Sequence, residues 1–156
     1  MQFTSFEIRR LGDLPWPHGL GKLEYKQLER RMKQIMGDSY HDPEANRRAF
    51  ESNPQYRKAV DEELANEPWA DGLVEDITRS TELVRTAPLF GRRLADTTDW
   101  FDWLRRVSPP HTPDRLWWIW SPATIGNGGL GDGRHRLTFL RLHQPPDYQL
   151  LVQVHH

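Results

Sequence analysis

Cysteine is absent from the 156 residues. That excludes a disulfide framework, a thiolate metal site and a thiol nucleophile, whatever else the chain resembles. Long apolar runs are missing as well. Stretches such as Leu116 to Trp120 fall far short of the roughly 20 residues needed to cross a bilayer, so no membrane association is expected. The opening Met-Gln-Phe-Thr-Ser-Phe-Glu-Ile-Arg-Arg has no basic segment followed by an apolar stretch and a cleavage site, so a cytoplasmic location is expected. Nor is there a charge excess. With 21 basic and 22 acidic residues the net charge is -1, which gives no global attraction to nucleic acid. DNA binding would need a local basic patch.

The length suits one domain with a real core, so residues 1–156 are read as a single unit. Seven tryptophans are many for that length, and Trp100, Trp103, Trp117, Trp118 and Trp120 crowd into one stretch. A core-filling cluster is the expected role, ahead of a base-stacking surface. Arg92-Arg93 and Arg105-Arg106 flank this stretch and are expected to be solvated.

Residues 3–10 alternate imperfectly and predict a short strand, ended by Gly12, Pro15 and Pro17. From Lys22 to Met36 the apolar Tyr25, Leu28, Met32 and Ile35 recur at spacings of three and four, which predicts an amphipathic helix stopped at Gly37. Asp42-Pro43-Glu44 has the form of a new helix start. Short helices are expected through residue 107, broken near Asn53-Pro54, Glu67-Pro68, Pro88 and residues 96–99, with Leu64, Leu73, Val74, Ile77 and Leu83 in the core. After a proline-rich connector at 108–113, the aromatic and β-branched run Leu116 to Trp120 predicts a buried strand. Residues 125–131, with four glycines in seven, predict a turn. Residues 134–142 suit a short helix and residues 148–154 a closing strand. The expected class is α/β (α+β), built on a small mixed sheet.

A glycine-rich turn running into a helix leaves backbone N–H groups unpartnered and adds the helix dipole, which together favour a phosphate or carboxylate. Residues 126–136 have this form. Gly131 and Gly133 permit close backbone approach, Arg134 and Arg136 offer forked donors, and His135 adds a donor whose charge depends on pH. A solvated helix capped by Asp132 would have the same local sequence.

The run Asp132-Gly133-Arg134-His135-Arg136-Leu137, followed by a short helix and a strand, resembles the signature of the ParB/sulfiredoxin superfamily. The resemblance covers about residues 114–155, with the first strand and its proline-bearing loop as further matches. Residues 37–107 are unmatched and read as a helical insertion between the first strand and the signature helix. The resemblance implies a nucleotide-phosphate site, with a nucleoside triphosphate such as ATP or CTP as ligand and Mg²⁺ as a further candidate. Sulfiredoxins carry a cysteine where Arg134 stands, so sulfinic acid reduction is excluded. Partition proteins continue into a helix-turn-helix module that is not seen here, so partition is not expected.

The Asp-Gly-x-His-Arg form is most similar to the kinase-like branch. That branch implies Asp132 at the reacting phosphate, His135 and Arg136 gripping phosphates, and a glutamate base after the first strand. Glu7 and Glu24 are the candidates for the base; Glu24 is carried forward, although neither lies in a matching motif. The leading expectation is therefore phosphate or nucleotide binding by Gly131, Gly133, Arg134, His135 and Arg136, with NTP hydrolysis or phosphoryl transfer. A DNA-binding protein or nuclease using the same arginines is the second. The third is an interaction module whose middle helices bind a protein partner. His41, Asp42 and Glu44 lie close together but need no metal, and His155 and His156 are expected in a frayed end.

Overall fold

The computed structural model describes residues 2–156. Seven helices surround a four-stranded mixed sheet, an α/β fold. Strand β1 (Thr4–Arg10) lies antiparallel to β4 (Gln149–His155), which runs parallel to β2 (Ala123–Gly126); β2 forms a hairpin with the short β3 (Gly129–Leu130). The order is β1-β4-β2-β3. As an inner strand, β4 buries Leu150, Leu151 and Val152 consecutively, as a strand covered on both faces does. The outer edge of β1 is closed by the chain at Gly91 and Leu94, whose N–H groups donate to Phe6 and Thr4 carbonyls.

The middle of the chain is helical. Helix α1 (Lys26–Met36) turns Leu28 and Met32 into the core. It begins later than the periodicity predicts, because Lys22 is extended and Leu23–Tyr25 form a 3-10 turn. Helix α2 (Pro43–Ser52) is capped by the Asp42 carboxylate on Ala45 N–H, and α3 (Pro54–Leu64) by Asn53 on Gln55 N–H. Helices α4 (Leu73–Val84) and α5 (Thr98–Val107) follow. Leu64, Leu73 and Ile77 are buried, and Val74 and Leu83 pack half-buried beside them. Trp100 stacks on Phe6 with 3.9 Å between ring centroids, and Trp100, Trp103 and Trp118 are buried as core fillers.

Two expectations are corrected. Trp117–Trp120 form a helical turn, α6, rather than a strand. The cause is tertiary. The Asp76 carboxylate of α4 accepts from Trp117 N–H and Trp118 N–H, both at 2.9 Å, and Ser80 Oγ accepts from Ile119 N–H at 3.1 Å. An acceptor set supplied by another helix outweighs the β preference of the aromatic run. The strand forms six residues later, and Trp118 Nε1–H instead donates to the Leu151 carbonyl at 2.8 Å. The C-terminal histidines are not frayed either: His155 pairs with Thr4, and His156 N–H donates to the Phe3 carbonyl at 2.8 Å.

Candidate functional site

Helix α7 (Arg134–Arg141) follows the β2-β3 hairpin and leads the chain on to β4. Because β3 runs back antiparallel to β2, the start of α7 lies beside the amino end of β2, where Thr124 N–H donates to the Asp132 carbonyl at 3.1 Å. Gly133 occupies the position before the helix with φ +92°, and a Cβ there would meet Ala123 Cα and Cβ at 3.0 Å. Glycine is required at this close crossing. A Cβ on Gly131 would meet the Thr124 hydroxyl at 2.6 Å, and that hydroxyl accepts from Asp132 N–H at 2.7 Å. The helix start is thereby fixed to β2 by backbone and hydroxyl alone.

Asp132 Oδ1 accepts from Gly133 N–H at 2.8 Å, while the first turn of α7 receives no side-chain cap. The residues of that turn line a polar cavity of about 420 Å³ whose charged lining is Lys22, Asp132, Arg134 and Arg136. Three cations thus meet one carboxylate. Lys22 and Asp132 are exposed, and Arg134 reaches toward the Gly19 carbonyl at 3.5 Å.

Arg136 is more tightly held. Its Nη1 donates to the Ser121 carbonyl at 2.6 Å, its guanidinium lies 4.7 Å from the Trp118 ring centroid, and Nη2 stands 4.0 Å from Asp132 Oδ2. Burial pulls its pKa below the ordinary guanidinium value, against the opposing pull of Asp132 and Asp76. One side of the fork is anchored and the other faces the carboxylate.

His135 is buried, and its Nε2–H donates to the Leu20 carbonyl at 2.7 Å. Its ring stacks on Tyr25 at 4.0 Å. Burial depresses its pKa to about 4, outweighing the Leu20 contact, so the imidazole is neutral at pH 7. It fastens the loop bearing Lys22 to α7.

The structure brings Gly131, Asp132, Gly133, Arg134, His135 and Arg136 together around one cavity. It does not bring Glu24 into that lining: its exposed carboxylate stands 4.0 Å from Lys22 Nζ. Glu7 lies on β1, where it accepts from Ser5 and Arg9 and stands 3.6 Å from His156 Nε2. Lys22, Tyr25 and Trp69 also line the cavity and carry no local motif. Only chain folding places them there; the periodicity puts Lys22 at the start of the first helix, whereas it is extended ahead of it. Arg92, Arg93, Arg105 and Arg106 are exposed, but Arg105 is paired with Asp102 at 2.6 Å and the neighbouring Trp100 and Trp103 are buried.

Among the described residues no helix is long and apolar enough to cross a membrane. Comparison with known protein families, with curated proteins and with solved structures returns no match.

Proposed function

We propose that the start of α7 binds the phosphate chain of a nucleoside triphosphate and supports its hydrolysis or the transfer of its terminal phosphoryl group. This gives the Asp132 to Arg136 run the role that its ParB/sulfiredoxin resemblance implies. The observation that carries the reading is the convergence of Lys22, Arg134 and Arg136 on an uncapped helix start. Cations gathered around an uncapped helix start are what a phosphate chain needs.

In hydrolysis, a water oxygen bonds to the γ-phosphorus as the bond to the β,γ-bridging oxygen breaks. The nucleoside diphosphate leaves and the water proton passes to Asp132. The oxygen of Asp132 for that task is Oδ2, which stands 4.0 Å from Arg136 Nη2, since Oδ1 is engaged by Gly133 N–H. Arg136 and Lys22 neutralise the phosphate oxygens. His135 acts as a positioning residue, its Nε2–H being held by Leu20. Asp132 is the one carboxylate lining this cavity, so in place of taking the proton it would hold a Mg²⁺ carried in on the triphosphate. When bound, that ion supplies further neutralisation of phosphate charge.

The test is a titration of ATP, CTP and GTP, with and without Mg²⁺, against wild type, Arg136→Ala and the exposed-site variant Lys22→Ala. Loss of a charge-assisted contact of about 1.5–3 kcal/mol should weaken binding tenfold or more in Arg136→Ala. Asp132→Asn should retain binding and lose phosphate release. Equal affinity in the folded wild type and Arg136→Ala removes the assignment. A DNA phosphate is the alternative occupant; salt-dependent retention of a duplex that needs Arg136, with no nucleotide bound, would put it first.

A further inference from the structure

Arg136 and Trp69 also line a second, larger cavity of about 550 Å³ adjoining that at the start of α7. Its walls differ in chemistry. They are mainly apolar, formed by Pro68, Trp69, Leu73, Trp117 and Trp118, with Asp71 and Asp76 as the acidic groups of the lining and Asp76 already engaged by the Trp117 and Trp118 N–H groups. The volume lies within the usual range for small-molecule sites of about 300–1,000 Å³.

The aromatic walls are fixed from behind. Trp69 meets Phe139 edge-on at 5.7 Å, and Trp118 is held through Nε1 by the Leu151 carbonyl. Trp117 is different: it is 64% exposed, with Arg115 stacked on one ring face at 3.9 Å. That leaves the opposite face available. Trp117 is also part of the cavity lining, so its ring belongs to a concave, mostly apolar surface of the kind small molecules occupy.

We infer that this lobe seats the planar heteroaromatic base of a nucleoside phosphate, stacked against Trp117, while Arg136 spans the junction between base and phosphate lobes. The inference rests on the phosphate reading of the α7 site and extends it. The occupant follows from continuity and charge. One lobe offers cations and N–H groups, the adjoining lobe offers aromatic faces, and two side chains belong to both. A ligand filling both has an anionic end joined to a flat aromatic end. The inference also gives the middle helices a role, since Pro68, Trp69 and Leu73 come from the connection into α4. This part of the chain has no counterpart in the sequence resemblance.

The experiment is a tryptophan-fluorescence titration of the full chain with ATP, CTP, GTP, UTP and inorganic tripolyphosphate, in wild type and Trp117→Ala. Because Trp117 is exposed, the variant should keep its fold, checked by circular dichroism. At least one nucleotide should bind roughly tenfold or more tightly than tripolyphosphate in wild type. In Trp117→Ala that advantage should vanish while tripolyphosphate affinity stays within about twofold. Equal wild-type affinity for nucleotides and tripolyphosphate overturns the base site and leaves the phosphate site standing. A Trp117→Ala variant that weakens both ligands equally, or retains the full nucleotide advantage, also overturns it. If neither ligand class binds, the phosphate reading fails and the base site falls with it.

Discussion

His135 and Gly133 show how single residues set up the start of α7. The folded-state pKa of His135, about 4, lies below the ordinary imidazole value near 6.5. Between those pH values the unfolded chain takes up a proton that the native chain refuses, so stability rises with pH through the window. The contribution is fully present above about pH 6.5 and is lost as pH falls toward 4, on the order of 3 kcal/mol in all. His135→Gln can keep an N–H for Leu20 without titrating. Urea unfolding at pH 7 and pH 4 should therefore show a smaller acid loss in the variant than in wild type; identical losses would rule out a buried neutral imidazole. At Gly133 the positive φ and the 3.0 Å approach to Ala123 act together. Gly133→Ala should cost about 1–2 kcal/mol from conformation alone, with a further loss from displacing β2. An unchanged urea midpoint would show that the crossing can relax freely.

At the scale of elements, α6 depends on α4. Asp76 accepts from two backbone N–H groups and Ser80 from a third, so a four-residue helical turn is capped from outside its own sequence. Removing the carboxylate leaves those donors without partners at a half-buried junction. Asp76→Ala should lower stability by about 2–3 kcal/mol. It should also loosen Trp117 and Trp118, which line the larger cavity, so near-ultraviolet circular dichroism should change with the stability. An unaltered tryptophan spectrum at unchanged stability would remove Asp76 from this role. The sheet shows the same dependence, since Leu151 N–H donates to Thr81 Oγ1 of α4 while its carbonyl accepts from Trp118. Helix side chains complete the inner strand on the side where β2 has not yet begun, its pairing starting at Val152.

For the whole molecule, ligand binding and stability are linked. Nucleotide at about 100 times its dissociation constant should add roughly 2.7 kcal/mol to the native state. For a chain of this size that is a rise in Tm of about 5–10 °C. The rise should be absent in Arg136→Ala at the same nucleotide concentration. A ligand-independent Tm in wild type would count against a native-state nucleotide site. The near-zero net charge leaves the attraction for anions local to the cavity. Raising salt should therefore weaken nucleotide binding only in proportion to the few cations lining it.

Much was determined by local sequence. Asp42-Pro43 and Asn53-Pro54 started helices because cap and fixed proline φ act within a few residues, and the spacing of Leu28 and Met32 set the buried face of α1. Gly133 and the donors after it marked a helix start for the same reason. The tertiary structure decided what these residues face. It placed Lys22 and Trp69 beside Arg136, left Glu24 outside the lining, and engaged His135 with a carbonyl 115 positions away. It also wound Trp117–Trp120 into a helical turn on the carboxylate of a distant aspartate. Caps and periodicity depend on neighbours along the chain, whereas burial, pKa and cavity walls depend on groups that only folding brings within reach.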